Sequence, residues 1–115
     1  MGKVILERDL ATAQRLRDLV LQTGLGDVRR IILFGSRARG DARPDSDYDL
    51  LVVLRRISPE DKRALRLTLF RAFLGVGVSV EPWVMAEDEF EETKQVIGGL
   101  AYPASKEGVL LYENS

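Results

Sequence analysis

Residues 34–50 read Phe34-Gly35-Ser36-Arg37-Ala38-Arg39-Gly40-Asp41-Ala42-Arg43-Pro44-Asp45-Ser46-Asp47-Tyr48-Asp49-Leu50. The apolar run at 31–34 delivers the chain to Gly35-Ser36. After a ten-residue gap, Asp47 and Asp49 open a second apolar run. Arg29, Arg30, Arg37, Arg39 and Arg43 crowd the first half, and Asp45, Asp47 and Asp49 follow. Such a distribution suits a polyphosphate at one end and divalent cations at the other. The competing reading is a solvated loop of mixed charge.

Two flanking strands frame this stretch. Residues 30–34 form a short β-branched apolar run, which predicts a buried strand. Residues 47–54 predict a second. Beyond its first turn both faces are apolar, with Leu51 and Val53 on one and Leu50, Val52 and Leu54 on the other, as in a central strand covered on both sides. Residues 35–40 predict a short helical turn.

Further out, Leu6, Leu10, Ala13, Leu16, Leu19 and Val20 recur at helical steps, and Gly24 and Gly26 end the helix. Ser58-Pro59-Glu60-Asp61 marks another helix start: serine N-cap, proline in the first turn, acids beside it. That helix is expected to turn Leu65, Leu69, Phe70 and Phe73 inward and to stop near Gly75. Residues 77–84 predict a third strand. An acidic helix follows over about 86–97, burying Phe90 and Ile97. Residues 100–112 read equally as a short helix closed by Gly108 or as an irregular tail ending in an apolar strand. The order α-β-α-β-α-β-α predicts one α/β (α+β) domain over residues 1–115.

Composition narrows the chemistry. A chain of 115 residues, 45% hydrophobic, can bury one core. It has no cysteine and no histidine, so disulfides, a thiolate nucleophile and an imidazole base are excluded. Acid–base or metal chemistry falls to carboxylates, which favour hard cations such as Mg²⁺. A net charge of −1 opposes a broad nucleic-acid-coating surface. Apolar runs too short to span a bilayer, with no signal-like N-terminus, predict a cytoplasmic protein.

Residues two apart on a strand share a face, so Asp47 and Asp49 project together, Cα atoms roughly 6.5 Å apart. Two unpaired carboxylates there would repel and lose hydration. A cation relieves both, and two Mg²⁺ could clamp an in-line phosphoryl displacement. Alternatively the pair caps loop amides or meets Arg37, Arg39 or Arg43. Gly35 permits close backbone approach, and Ser36 with nearby amides can hold phosphate oxygens; the alternative is a plain turn. Arg37 and Arg39 are candidates for bidentate phosphate contacts or for pairing with Asp41 or Asp45. Gly35 and Gly40 have P-loop spacing, but Asp41-Ala42 stands where Lys-Ser/Thr is required, which excludes that motif.

The run Gly35-Ser36, ten residues, then Asp47-Tyr48-Asp49-Leu50 resembles the signature of the minimal nucleotidyltransferases, small members of the DNA polymerase β-like superfamily. Arg37-Ala38-Arg39-Gly40, Ser46 and the closing Lys106-Glu107-Gly108-Val109-Leu110-Leu111-Tyr112 are also typical of that group. The resemblance implies a small mixed sheet of three to four strands flanked by helices. It also implies Mg²⁺ on Asp47 and Asp49, and ATP phosphates held by Gly35 and Ser36. The family carries a third carboxylate, usually aspartate, on the strand after the second sheet helix; here Glu81 occupies it, one methylene longer. Glu81 could complete the metal site or take a proton, or it could pair with an arginine at the sheet edge. Trp83 and Tyr48 are read as core packing rather than base stacking.

Larger relatives add a helical acceptor-binding domain for which this chain has no room. The resemblance implies that the acceptor comes from a small helical HEPN-domain protein, often an RNase toxin, with this chain as antitoxin transferring AMP from ATP to a protein hydroxyl. Two other readings stay open: a non-catalytic antitoxin acting by complex formation, and nucleotidyl transfer to a small molecule or RNA end. Neither membrane binding nor sequence-specific DNA binding is expected. Homo- or hetero-oligomers are both open.

Overall fold

The computed structural model describes residues 4–114. Chain order gives α1 (Glu7–Gln22), β1 (Val28–Phe34), α2 (Ser36–Arg39), β2 (Tyr48–Leu54), α3 (Pro59–Ala72), β3 (Val80–Ala86), α4 (Glu87–Thr93), α5 (Ala101–Glu107) and β4 (Val109–Glu113). The strands make one mixed sheet in the order β3-β2-β1-β4. β1 runs antiparallel to β2 and β4, and β2 runs parallel to β3.

The two-sided apolar character of β2 decides the layering. Leu50, Val52 and Leu54 join a core with Ala13, Leu16 and Val20 of α1 and Leu69 of α3. Leu51 and Val53 face a second core with Met85, Phe90 of α4, and Ala101 and Ala104 of α5. Each face of the sheet is therefore roofed by a pair of helices. Burying both faces of a strand leaves it nowhere to slip, because a one-residue shift would exchange the two apolar sets. The start of α3 follows its local chemistry: the Ser58 hydroxyl accepts from the Asp61 amide at 3.3 Å, with Pro59 in the first turn. No described helix is long and apolar enough to cross a membrane.

Several expectations are corrected. β3 lies at Val80–Ala86 rather than 77–84; the Gly75 and Gly77 backbones have positive φ and keep the preceding segment a turn. α4 stops at Thr93, and Ile97, expected inside, is 80% exposed. Phe90 is the buried side chain of α4, and a helix held by one anchor gains little by extending past the sheet. Phe70 also sits at the surface rather than inside, because the inward face of α3 is taken by Leu69 with Phe73 just beyond its end. The tail realises both of its readings in succession. α5 ends at Gly108, and β4 then pairs with β1, so the order gains a second helix and a fourth strand. Gly108 is required at that junction, since a Cβ there would strike the Ala104 carbonyl and the Ile32 side chain.

Candidate active site

β1 ends at Phe34, and Gly35 turns the chain at φ 78° and ψ −160°, a region essentially confined to glycine. The turn presses the Gly35 backbone against the Asp49 carboxylate: a Cβ on Gly35 would overlap Oδ2 of Asp49. Phe34 and Asp49 are register partners across β1–β2, and Asp49 and Glu81 are partners across β2–β3. The Gly35 turn, Asp49 and Glu81 thus lie in a row across the sheet. Asp47, exposed, lies just before β2. In β2 and β3 alternation places Asp49 with Leu51 and Val53, and Glu81 with Trp83 and Met85. The acidic row therefore belongs to the face that α4 and α5 roof farther along.

The electrostatics follow from this crowding. Burial, then the Asp47 and Glu81 charges, push the Asp49 carboxyl above its ordinary value, while Arg39 pulls it back. A carboxylate disfavoured by two like charges is one that a cation would stabilise. The donor set is all oxygen, which fits a hard divalent ion such as Mg²⁺. Glu81 is the departure. Its Oε1 accepts from Arg66 of α3 at 2.7 Å, and among the described residues no three acidic side chains converge as a metal cluster. The sheet-edge pairing is thus the one Glu81 adopts, and the convergence of three carboxylates on one ion is not present. Arg66 also lies over the Trp83 ring at 3.9 Å and near Phe70 at 5.3 Å, and donates to the Pro82 carbonyl at 2.7 Å. Beside it runs an apolar groove of about 460 Å³, lined among others by Leu67, Phe70, Trp83, Met85 and Leu100.

The two arginines of the turn diverge. Arg37 is buried, with Nη1 on Asp9 Oδ1 at 3.2 Å, Nη2 on the Pro44 and Ser46 carbonyls at 3.2 and 3.0 Å, and Nε on Ser46 at 3.2 Å. It faces the protein and pairs with Asp9, rather than with a phosphate, Asp41 or Asp45, the partners that its spacing suggests. Arg39 is 41% exposed and bonds Asp41 Oδ2 at 3.3 Å and Glu107 Oε2 at 3.1 Å. Among the described residues, its ion-pair partners are these two carboxylates near the surface. Tyr48 packs in the core, as read, and Trp83 is half-buried beneath Arg66.

Asp9 and Arg66 escaped the sequence reading. Asp9 is almost fully buried and accepts from the Tyr48 hydroxyl at 2.7 Å as well as from Arg37. It had a signal: Asp9, Ala13, Leu16 and Val20 fall at four-, three- and four-residue steps, which sets a carboxylate on the buried stripe. Arg66 had none, because its partner lies on another element.

A glycine-serine turn ends one strand beside a pair of aspartates that opens the next, the arrangement that the sequence signature of nucleotidyl transfer predicts. The family model for the nucleotidyltransferase domain matches residues 13–103, most of the chain. The protein belongs to that family and is a nucleotidyltransferase. Among solved structures it is similar to a candidate nucleotidyltransferase from Sulfolobus solfataricus, at 25% identity and a TM-score of 0.65, covering 93% of this chain and 82% of that one. It also shares its fold with a chain of a toxin–antitoxin structure containing AMP-PNP, at 18% identity and TM-score 0.60, covering 89% and 74%. A third likeness is to a chain in the complex of a tri-AMPylated Shewanella oneidensis HEPN toxin with an MNT antitoxin, at 16% identity and TM-score 0.52, covering 92% and 73%. No curated protein sequence matches the chain.

Proposed function

We propose that this protein transfers AMP from ATP to a hydroxyl of a partner protein, in the cytoplasm and with Mg²⁺, as the antitoxin of a pair whose other member is a small helical HEPN-domain protein. The observation that carries this reading is the row of the Gly35 turn, Asp49 and Glu81 across three adjoining backbone segments. The toxin–antitoxin complexes that share the fold, one with AMP-PNP and one with an AMPylated HEPN toxin, support the nucleotide and the partner.

Asp47 and Asp49 would hold the metal, which supplies charge neutralisation on the phosphates when bound. Gly35 and Ser36 offer backbone and hydroxyl to the triphosphate, and Arg39, released from Asp41 and Glu107, neutralises the departing pyrophosphate. The acceptor oxygen attacks the α-phosphorus, the bond to pyrophosphate breaks, and the acceptor proton passes to a carboxylate. Glu81, the register neighbour of Asp49, would accept that proton or assist as a metal ligand once it leaves Arg66. Positioning and electrostatics do most of the work in such transfers.

The test is incubation with α-labelled ATP, Mg²⁺ and the product of the adjacent reading frame. Label on the partner that disappears in Asp47→Asn and Asp49→Asn supports the reading. Transfer retained in both variants would refute the site.

The Arg66–Glu81 pair favours a second reading, a non-catalytic antitoxin that acts by complex formation. It predicts partner binding with no heat of ATP–Mg²⁺ binding at millimolar nucleotide. Transfer to a small molecule or RNA end would instead show turnover with no protein partner.

A further inference from the structure

Between α1 and the aspartate pair lies a buried polar cluster of Asp9, Arg37 and Tyr48. Asp9 comes from the first turn of α1 and is 1% exposed; Arg37 comes from α2 and is 7% exposed. Tyr48 stands between Asp47 and Asp49 in the chain, with its ring turned to the opposite face of the sheet, in the core that contains Leu16 and Leu50. Oδ1 of Asp9 receives both the Tyr48 hydroxyl, at 2.7 Å, and Nη1 of Arg37, at 3.2 Å. The Arg37 guanidinium lies 4.6 Å from the Tyr48 ring centre. Its remaining donors reach the carbonyls of Pro44 and Ser46, at the end of the loop that delivers Asp47. Oδ2 of Asp9 is buried without a protein partner among the described residues.

For stability alone this is a poor use of the space. A buried ion pair is often no more stabilising than apolar side chains of the same volume, and a half-satisfied one is worse. What it supplies is geometry. Three residues distant in sequence fix, from behind, the backbone on both sides of Asp47: Arg37 through the Ser46 carbonyl and Tyr48 through its hydroxyl.

We propose that Asp9 is a positioning residue, which through Arg37 and Tyr48 locks the 44–48 backbone so that Asp47 and Asp49 are presented together to a divalent cation. The inference rests on the proposed role of that pair. Supporting residues behind metal-binding carboxylates and imidazoles commonly change affinity or activity 10–100-fold when removed, and the same range is expected here.

The variants are Tyr48→Phe, which removes one bond and keeps the ring, and Asp9→Leu combined with Arg37→Met, which removes both charges and avoids stranding either. Backbone hydrogen exchange over residues 41–48, Mn²⁺ affinity by electron paramagnetic resonance, and thermal unfolding are measured on each. In the double variant, with its unfolding midpoint near that of wild type, exchange in the 41–48 segment accelerates at least tenfold while β1 stays protected. Mn²⁺ affinity falls 10–100-fold, and Tyr48→Phe lies between the double variant and wild type. A folded double variant with wild-type exchange and wild-type Mn²⁺ affinity overturns the proposal. Should wild type bind no Mn²⁺ and transfer no nucleotide, the proposed function fails, and the exchange of the loop still decides whether Asp9 holds it. If the double variant does not fold, Tyr48→Phe decides: unchanged exchange and affinity there overturn the proposal.

Discussion

The backbone of Gly35 lies against the carboxylate of Asp49 so closely that no side chain fits between them. Gly35 also holds a φ of 78° with a ψ of −160°. Gly35→Ala therefore meets both strain and overlap. A non-glycine residue in that region costs about 1–3 kcal/mol, and pushing Asp49 aside should remove nucleotidyl transfer. Denaturant unfolding and the labelled-ATP assay check this; a variant with wild-type midpoint and wild-type transfer would remove the Gly35–Asp49 contact from the site.

Asp49 carries a pH signature of definite sign. Burial and the Asp47 and Glu81 charges raise its carboxyl above the ordinary value. The folded protein then binds that proton more tightly than the unfolded chain. Its contribution to stability is present below the ordinary value and is lost as pH rises through the raised one. At neutral pH the ionised Asp49 opposes folding. In metal-free buffer, Asp49→Asn should melt above wild type at pH 7, and the gap should close as pH falls toward about 4. A gap that is absent at pH 7, or that widens in acid, would contradict this placement.

Glu81 is expected to show a small structural effect and a large chemical one. Its pair with Arg66 is about one-third exposed on each side, so Glu81→Gln should cost about 1 kcal/mol or less in stability. Loss of a proton acceptor lowers rates about 100-fold or more. Unchanged transfer in Glu81→Gln would confine Glu81 to fastening α3 to β3. Arg66→Met should shift the emission of Trp83, the single tryptophan, since the guanidinium lies 3.9 Å from the centre of its ring.

Gly108 joins α5 to β4 where Cβ has no room. Gly108→Ala should destabilise by about 1–3 kcal/mol through overpacking and weaken the β1–β4 ladder. Faster amide exchange in β4, with β2 unchanged, is the expected result; equal exchange in both strands would mean that the junction relaxes freely.

The sequence made legible whatever rested on local pattern. The two apolar faces of β2, the Ser58 cap and the Gly35-Ser36 turn before Asp47 and Asp49 are all set by residues within a few positions of one another. Distant pairings were not legible. Arg66 and Glu81 sit on different elements, and nothing in the spacing of either names the other. Local spacing offers Arg37 a phosphate, Asp41 or Asp45; its inward course depends on Asp9, 28 residues earlier. Ile97 misleads for the opposite reason: its helical spacing from Phe90 is sound, but α4 stops at Thr93 and leaves Ile97 exposed beyond it.

β3 borders the sheet, and its outer rim is interrupted at Pro82, which has no amide hydrogen to offer and whose carbonyl is occupied by Arg66 Nε. A foreign strand arriving there finds neither donor nor acceptor at Pro82. The same guanidinium that restrains a catalytic candidate thus doubles as a guard against polymerisation. Since one guanidinium serves both Glu81 and the Pro82 carbonyl, drawing it away from the first would also uncover the second.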